Sequence, residues 1–393
     1  MAQSLGLSSV TYSYEGNYDD LYVEIELPTL YGRIDEVQLL RSTFLQLVRS
    51  KNAKTVVLDG VSGTGKTSLI DTLREPVCAS QGFFCTGKYF QNSAITEPYS
   101  AIMAAFSDLC DLVNQSDDFE ARKSKIAHAL GADGVVLAKS ISNLSPFLED
   151  VSVGDSSTEE TESKLFTKFK LACKSFLRAM SCDNHPIVLF IDDIQWMDDG
   201  SRQLIEMFLQ DKELTNVLFI FAYRSDETEK IKDTLSKMRE RDCINIHLPN
   251  LSADAVYELV SAALGDDKGA TRELSALVST RTLGNPLHVI QFMEAIQRER
   301  LLTFNTLSSS WNFDVEKIQK EMMVSETLAD LLTRKARRLP SDILEALKIA
   351  SVFGYSFSEE MLLHIIPRLV EEAASAFSDD DSASEMSQMN CST

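Results

Sequence analysis

Three stretches of the chain lack any lysine or arginine, and they hold most of its charge. Residues 1–30 carry five acids and no base, residues 371–393 carry six acids and no base, and Glu149–Ser163 carries six more acids without a base. Together they supply −17 of a formal net charge of −21, which leaves about −4 for everything else. Solvated, flexible segments are the ordinary home of such acidic runs. The near-neutral remainder lacks the basic footprint that a nucleic-acid backbone requires, which argues against direct nucleic-acid binding. A long apolar run is also missing. The longest strongly apolar stretch, Val217–Tyr223, falls far short of the roughly 18 residues needed to span a bilayer. Met1–Tyr14 has neither a basic residue nor a continuous apolar run, so no secretory signal is read there. The seven cysteines include no Cys-x-x-Cys pair and the five histidines are scattered. That excludes the usual metal and disulfide frameworks and points to reduced thiols in a cytoplasmic setting.

What is present is an alternation of strand-like and helix-like stretches from residue 55 to residue 250. Thr55–Gly60, Phe83–Phe90, Pro186–Asp193, Asn216–Arg224 and the weaker Cys243–Leu248 read as strands. The third and fourth are continuous apolar runs, the pattern of strands buried on both faces. Between them lie amphipathic stretches, one with Leu69, Ile70, Leu73 and Val77 and another with Leu204, Ile205, Phe208 and Leu209 along one side. This alternation predicts an α/β fold with a parallel sheet and helices on both faces. Residues 91–182 are too many for a crossover. Tyr99–Val113, Phe119–Leu130 and Glu160–Met180 read as helices of an insertion, interrupted by the acidic Ser/Thr-rich stretch. After residue 250 the strands give way to helices through Gln297, the first capped by Ser252. A hairpin pattern follows at 301–313, then helical stretches at Leu328–Arg338, Ile343–Val352 and Glu359–Ile366, and a Ser- and Asp-rich end read as disordered. No internal repeat is evident.

The chemistry is concentrated in two motifs. Gly60-Val61-Ser62-Gly63-Thr64-Gly65-Lys66-Thr67 matches G-x-x-x-x-G-K-[ST] and stands between a buried strand and a helix start, where the mechanism needs it. The glycines let backbone N–H groups curl around phosphates, and the helix N-terminus adds partial positive charge. With Ser68 these residues form the expected nucleotide-binding set. Lys66 is assigned to the β- and γ-phosphates and the Thr67 hydroxyl to magnesium. Asp192 closes the apolar run Val188–Ile191, the setting of a carboxylate that holds Mg²⁺ at the sheet edge. Asp193 is the candidate for polarising the attacking water, although aspartate is one methylene shorter than the glutamate common at that position. Arg224, at the end of the fourth strand, is the candidate for contacting the γ-phosphate.

Five segments in fixed order carry a family resemblance: Leu30–Val37, the P-loop, Phe190–Asp198, Phe221–Ser225 and Gly284–Leu287. Together they resemble the predicted-ATPase family of AAA/STAND signal-transduction NTPases over about residues 30–366. The resemblance implies a sheet of order 5-1-4-3-2, a helical lid at 251–300 and a winged-helix-like domain at 301–370. Residues 1–29 and 371–393 would then be flexible acidic ends flanking a 30–250 core. It also implies that Gly32 and Arg33 lie on the adenine side and that Pro286, in Gly284-Asn285-Pro286, contacts the base. The implied ligands are ATP or ADP with Mg²⁺, and the implied behaviour is a switch acting on protein partners or by self-association. The chain departs from the family's pattern in two ways: it stops near residue 366, short of a full winged-helix domain, and has no Met-His-Asp motif. It is therefore read as a fragment, a truncated gene product or a minimal member that acts through a partner. No Asn-Lys-x-Asp motif is present to read guanine. The competing readings are an origin-recognition-like loading ATPase and a scaffold that binds ATP without turnover.

Overall fold

The computed structural model of the chain describes residues 12–13, 22–23, 30–91, 98–116, 119–148, 162–181, 185–239, 243–265, 269–305, 310–322 and 339–352. Met1–Met322 form one compact unit and Met323–Thr393 a second. Five parallel strands make the central sheet of the first unit: β1 (Lys54–Gly60), β2 (Phe83–Lys88), β3 (Ile187–Asp192), β4 (Val217–Arg224) and β5 (Cys243–His247). Their order across the sheet is β2-β3-β4-β1-β5, which is the expected 5-1-4-3-2 arrangement.

The inner strands β3 and β4 are apolar on both faces because both faces are covered. Val188 and Phe190 of β3, with Leu218, Ile220 and Ala222 of β4, join one core. That core also takes Leu40, Phe44 and Leu47 from α1 (Ile34–Ser50), Leu69 and Ile70 from α2 (Lys66–Asp71), and Val77 from α3 (Arg74–Ala79). The alternate residues Leu189, Ile191, Phe219 and Phe221 join a second core on the other face. There they meet Phe106 of α4 (Ser100–Asn114), Ile126 of α5 (Phe119–Leu130) and Leu137 of α6 (Gly134–Ala138). Phe176 of α7 (Glu162–Met180), Phe208 of α8 (Asp199–Gln210) and Leu235 of α9 (Lys232–Arg239) complete that layer. The helix Ile34–Ser50 was not anticipated from sequence, nor were the short α6 and the 3₁₀ turn Ser142–Phe147.

The insertion is built onto the β2 edge by close approach. A Cβ on Gly87 would come within 1.9 Å of the Ala101 carbonyl oxygen, so α4 packs directly on the β2 backbone. Asp198 helps fix this contact: one oxygen caps α8 by accepting from Ser201 N at 2.8 Å, and the other accepts from Tyr99 N at 3.0 Å.

The lid follows as α10 (Ala253–Leu264), α11 (Gly269–Thr282) and α12 (Pro286–Arg298). Ser252 caps α10 through a bond from Ala255 N. The hairpin β6 (Leu302–Asn305) and β7 (Ser310–Phe313) and the helix α13 (Val315–Glu321) contribute Leu302 and Ile318 to the lid core. Leu301, Leu302 and Ile318 thus share one hydrophobic cluster with α10–α12, and the compact unit ends at Met322. In the second unit, α14 (Ser341–Val352) matches the helix expected at Ile343–Val352. The helices expected at Leu328–Arg338 and Glu359–Ile366 and the acidic tail lie outside the described residues. So do residues 1–29, apart from a short antiparallel pairing of Tyr12–Ser13 with Tyr22–Val23. Among the described residues no helix is long and apolar enough to cross a membrane.

Gly87→Ala should therefore lower the stability of the first unit by about 1–3 kcal/mol, the usual cost of overpacking a close contact. Urea unfolding checks it, with an earlier midpoint as the expected outcome.

Candidate functional site

The turn from β1 into α2 is shaped by two glycines with left-handed backbones, Gly63 (φ +82) and Gly65 (φ +90). The loop is closed on itself: Thr64 Oγ1 donates to the Val61 carbonyl at 2.9 Å, and Leu69 N donates to the Gly65 carbonyl. Lys66 begins α2 and is buried. Its Nζ donates to the carbonyls of Gly60 at 2.7 Å and Val61 at 3.0 Å. Burial lowers the proton affinity of this ammonium, and the charges of Asp192 and Asp193 oppose that effect only in part.

Strand register assembles the rest. Gly60 pairs with Arg224 across β1 and β4, and Lys88 pairs with Asp192 across β2 and β3. The four strand ends and α2 thus surround one cavity of about 300 Å³, lined by Ser62, Gly63, Gly65, Lys66, Thr67, Ser68, Lys88, Asp192, Asp193 and Arg224 and closed by Pro286, Leu287 and Ile290. The lining holds three cations against two carboxylates.

Asp193 is the most heavily bonded group. Its Oδ1 accepts from Gln195 Nε2 at 2.7 Å and lies 3.3 Å from Arg224 Nε, while its Oδ2 lies 2.9 Å from Lys88 Nζ. Burial alone would raise its pKa, but the bonds from Lys88 and Gln195 and the charges of Lys88 and Arg224 outweigh it. They hold the carboxyl below the ordinary carboxylate range. Arg224 is fixed by stacking on Trp196, its guanidinium carbon 4.6 Å from the ring centroid. Its backbone N–H donates to Gln195 Oε1 at 3.2 Å.

A second, larger cavity of about 830 Å³ adjoins the first and shares Gly65, Ser68, Pro286 and Ile290 with it. Its walls include Leu30, Tyr31, Arg33, Ile34, Val37, Leu251 and Leu259. Arg33 is buried, donates to the carbonyls of Thr64 and Pro249, and pairs with Glu36. Gly32 does not line the cavity. Its φ of +63 and a would-be Cβ only 2.4 Å from Ala255 Cβ make it a packing contact against α10. Gly60 and Val61 likewise meet Lys66 through their carbonyls instead of lining either space, and Val61 is exposed.

The lid is bonded to the P-loop itself. Asn285 Nδ2 donates to the Ser62 carbonyl at 2.8 Å, and Leu287 N donates to the Gly63 carbonyl at 3.2 Å. Asn285 Oδ1 accepts from Leu287 N and His288 N and so caps α12, with Pro286 in the helix's first turn. Gly63 permits this approach, because a Cβ there would lie 2.6 Å from Asn285 Oδ1, while Gly284 (φ +72) packs against the backbone of Leu251.

For a magnesium ion, the donor chemistry fits. Thr67 and Asp192 offer hard oxygen donors on one cavity, and Mg²⁺ takes its other ligands from phosphates and water. A cluster of three acidic, His or Cys side chains is not needed, and none occurs among the described residues. Sequence reasoning missed Lys88, Gln195 and Asn285. Gln195 and Asn285 stand inside the recognised motifs, but Lys88 is marked only by its place at a strand end.

The depressed pKa of Asp193 makes its stabilising contribution pH-dependent. Such a contribution is complete above the unfolded-state value of about 3.9 and disappears as pH falls through the lower folded value. Asp193→Asn is expected to be less stable than wild type at neutral pH. The gap should close as unfolding is measured at successively lower pH below about 4.

Residues 29–220 match the model of the AAA ATPase domain. Over 417 aligned residues the chain is 25% identical to hybrid signal transduction histidine kinase G of Dictyostelium discoideum, covering 89% of this chain and 12% of that protein. The chain thus spans about an eighth of that relative. Among solved structures, the ORC1 protein of Aeropyrum pernix in complex with DNA is similar at 13% identity, with 88% of this chain and 78% of that chain covered and a TM-score of 0.44. A Signal Transduction ATPase with Numerous Domains (STAND) protein with a tetratricopeptide repeat sensor, from Pyrococcus horikoshii, matches at 15% identity. That match covers 86% of this chain and 36% of that chain, with a TM-score of 0.41. With the P-loop, the 5-1-4-3-2 sheet and the domain match in agreement, the chain carries an AAA-type P-loop ATPase domain.

Proposed function

We propose that the chain binds ATP and ADP with Mg²⁺ between the P-loop and the lid and acts as a slowly hydrolysing, nucleotide-controlled switch in signalling. The observation that carries this reading is the direct bonding of the lid to the phosphate loop through Asn285 and Leu287. A change in the P-loop on gaining or losing a γ-phosphate then acts on the start of α12 with no intermediary. In this reading the phosphates occupy the smaller cavity and the nucleoside the larger one, between Arg33 and Pro286.

Lys66 leaves the Gly60 and Val61 carbonyls to hold the β- and γ-phosphates. Thr67 and Asp192 hold Mg²⁺, Asp193 orients the attacking water, and Arg224 contacts the γ-phosphate. Similarity to a signal transduction histidine kinase of Dictyostelium supports a signalling context. A loading ATPase on DNA is less favoured, because the charge outside the acidic segments sums to only about −4 and supplies no basic excess.

Light scattering after size exclusion tests the switch. Mass or hydrodynamic size should differ between ADP and a slowly hydrolysed ATP analogue, with Mg²⁺ present in both. Lys66→Ala should abolish the difference, since losing a charge-assisted phosphate contact weakens binding by roughly 10- to 100-fold. Identical behaviour of the wild type in the two nucleotides would sink the switch and leave a static binder.

Pro286 distinguishes a base contact from a helix start. If its ring packs on the adenine, Pro286→Ala should cost about 1 kcal/mol of affinity, roughly fivefold, with faster release of labelled ADP in stopped flow. A lower melting temperature with an unchanged off-rate would reduce it to the first residue of α12.

A further inference from the structure

Lys88 is a charge in the site to which neither motif gives a task. It ends β2, in register with Asp192, and its Nζ lies 3.0 Å from Asp192 Oδ2 and 2.9 Å from Asp193 Oδ2. Its side chain is 47% exposed, whereas those of Asp192 and Asp193 are 9% and 5% exposed. One cation within reach of solvent therefore bridges two buried carboxylates, of which Asp193 also has Arg224 beside it. The other Asp192 oxygen, Oδ1, accepts from Asp193 N at 2.9 Å. A hard divalent ion approaching Asp192 from the cavity meets the oxygen that Lys88 already holds.

The lining charges sharpen the point. Lys66, Lys88 and Arg224 against Asp192 and Asp193 give a net +1, and without Lys88 the sum is zero. A cavity at +1 attracts phosphates without metal and repels a divalent cation without phosphates. A lysine ammonium on a flexible four-carbon stem moves readily between two neighbouring anionic groups.

We propose that Lys88 is an internal counter-ion that holds the place of the divalent metal at Asp192. When metal and nucleotide enter together, its ammonium transfers from the two carboxylates to a phosphate oxygen. The proposal rests on the nucleotide reading of the cavity given above. It makes Lys88 a phosphate-binding residue supplied by β2, outside the P-loop, and makes metal and nucleotide binding mutually dependent. Metal alone must displace Lys88 with no phosphate to receive it, and nucleotide alone must draw Lys88 away from Asp192, while Asp193 keeps Arg224.

The experiment uses the full chain with Lys88→Met, Lys88→Gln and Lys88→Arg. Two affinities are measured: Mn²⁺ without nucleotide, from the electron paramagnetic resonance signal of the free ion, and fluorescently labelled ADP in excess EDTA. Removing the charge should tighten Mn²⁺ binding and weaken metal-free ADP binding, each by about tenfold, the usual effect of one close charge. Lys88→Arg should stay near wild type in both. Opposite signs are the signature, because a merely structural lysine would lower both affinities when lost. Unchanged or weaker Mn²⁺ binding in the Met and Gln variants overturns the proposal, as does unchanged metal-free ADP binding. Melting curves check folding, and if Lys88→Met fails to fold, Lys88→Gln carries the comparison. A wild type that binds ADP under neither condition overturns the nucleotide reading itself. That failure is distinguishable because the Mn²⁺ difference among the variants would persist.

Discussion

Parallel strands deliver all their C-terminal ends to one edge of a sheet, and the charges of this site depend on that polarity. Gly60, Lys88, Asp192 and Arg224 are each the last residue of a strand. Neighbouring strands stand about 4.8 Å apart, so the ladder sets the spacing of these groups before any loop contributes. The register is itself tightly specified. Successive residues of β3 and β4 go to different cores, so a slip of one residue would exchange the two faces. The alternation that buries Val188 and Phe190 on one side and Leu189 and Ile191 on the other thereby fixes where Asp192 ends.

Collecting ionised groups at a buried edge has a desolvation cost, and the local bonding is organised to offset it. Lys66 is turned onto two carbonyls of its own loop. Asp193 receives three donors and remains ionised despite its burial. The lid adds neutral donors: Asn285 and Leu287 donate to the Ser62 and Gly63 carbonyls. One asparagine side chain thus caps a helix with its oxygen and braces the phosphate loop with its nitrogen. That double use links the stability of α12 to the shape of the P-loop.

Much of this was legible in sequence because it is local. A buried strand, a glycine-rich turn and an apolar helix face occupy consecutive residues, so the P-loop, Asp192 and the alternation of strands and helices could all be read directly. Arg224 could be read because a continuous apolar run ending in a charge marks a sheet edge. Lys88 obeys the same rule but was not read, since β2 alternates in burial and offers no continuous run. Gln195 and Asn285 act across 29 and 223 residues of chain, and their partners depend on strand order and lid packing that no local pattern contains. Gly32 illustrates the converse. Its motif was recognised, but the structure uses it for close packing against Ala255, and Arg33 beside it forms the cavity wall.

The loop after β3 carries a strained residue together with the bonds that hold it. Asp193 is left-handed, with φ 55° and ψ 43°, a region that costs a non-glycine residue about 1–2 kcal/mol and that aspartate enters more readily than most. In a continuing strand its side chain would point to the face opposite Asp192. The left-handed turn instead leaves both carboxylates about 3 Å from the same ammonium of Lys88. The cost is met within four residues of chain and one neighbouring strand. Asp193 N bonds to Asp192 Oδ1, Trp196 N bonds to the Asp193 carbonyl, and Gln195 spans from the Asp193 carboxylate to the backbone of Arg224. Arg224 in turn lies on the Trp196 ring. These contacts converge on the turn at Asp193 and brace it. Any displacement of Arg224 would therefore pull on the Gln195 bond and on the Asp193 carboxylate together.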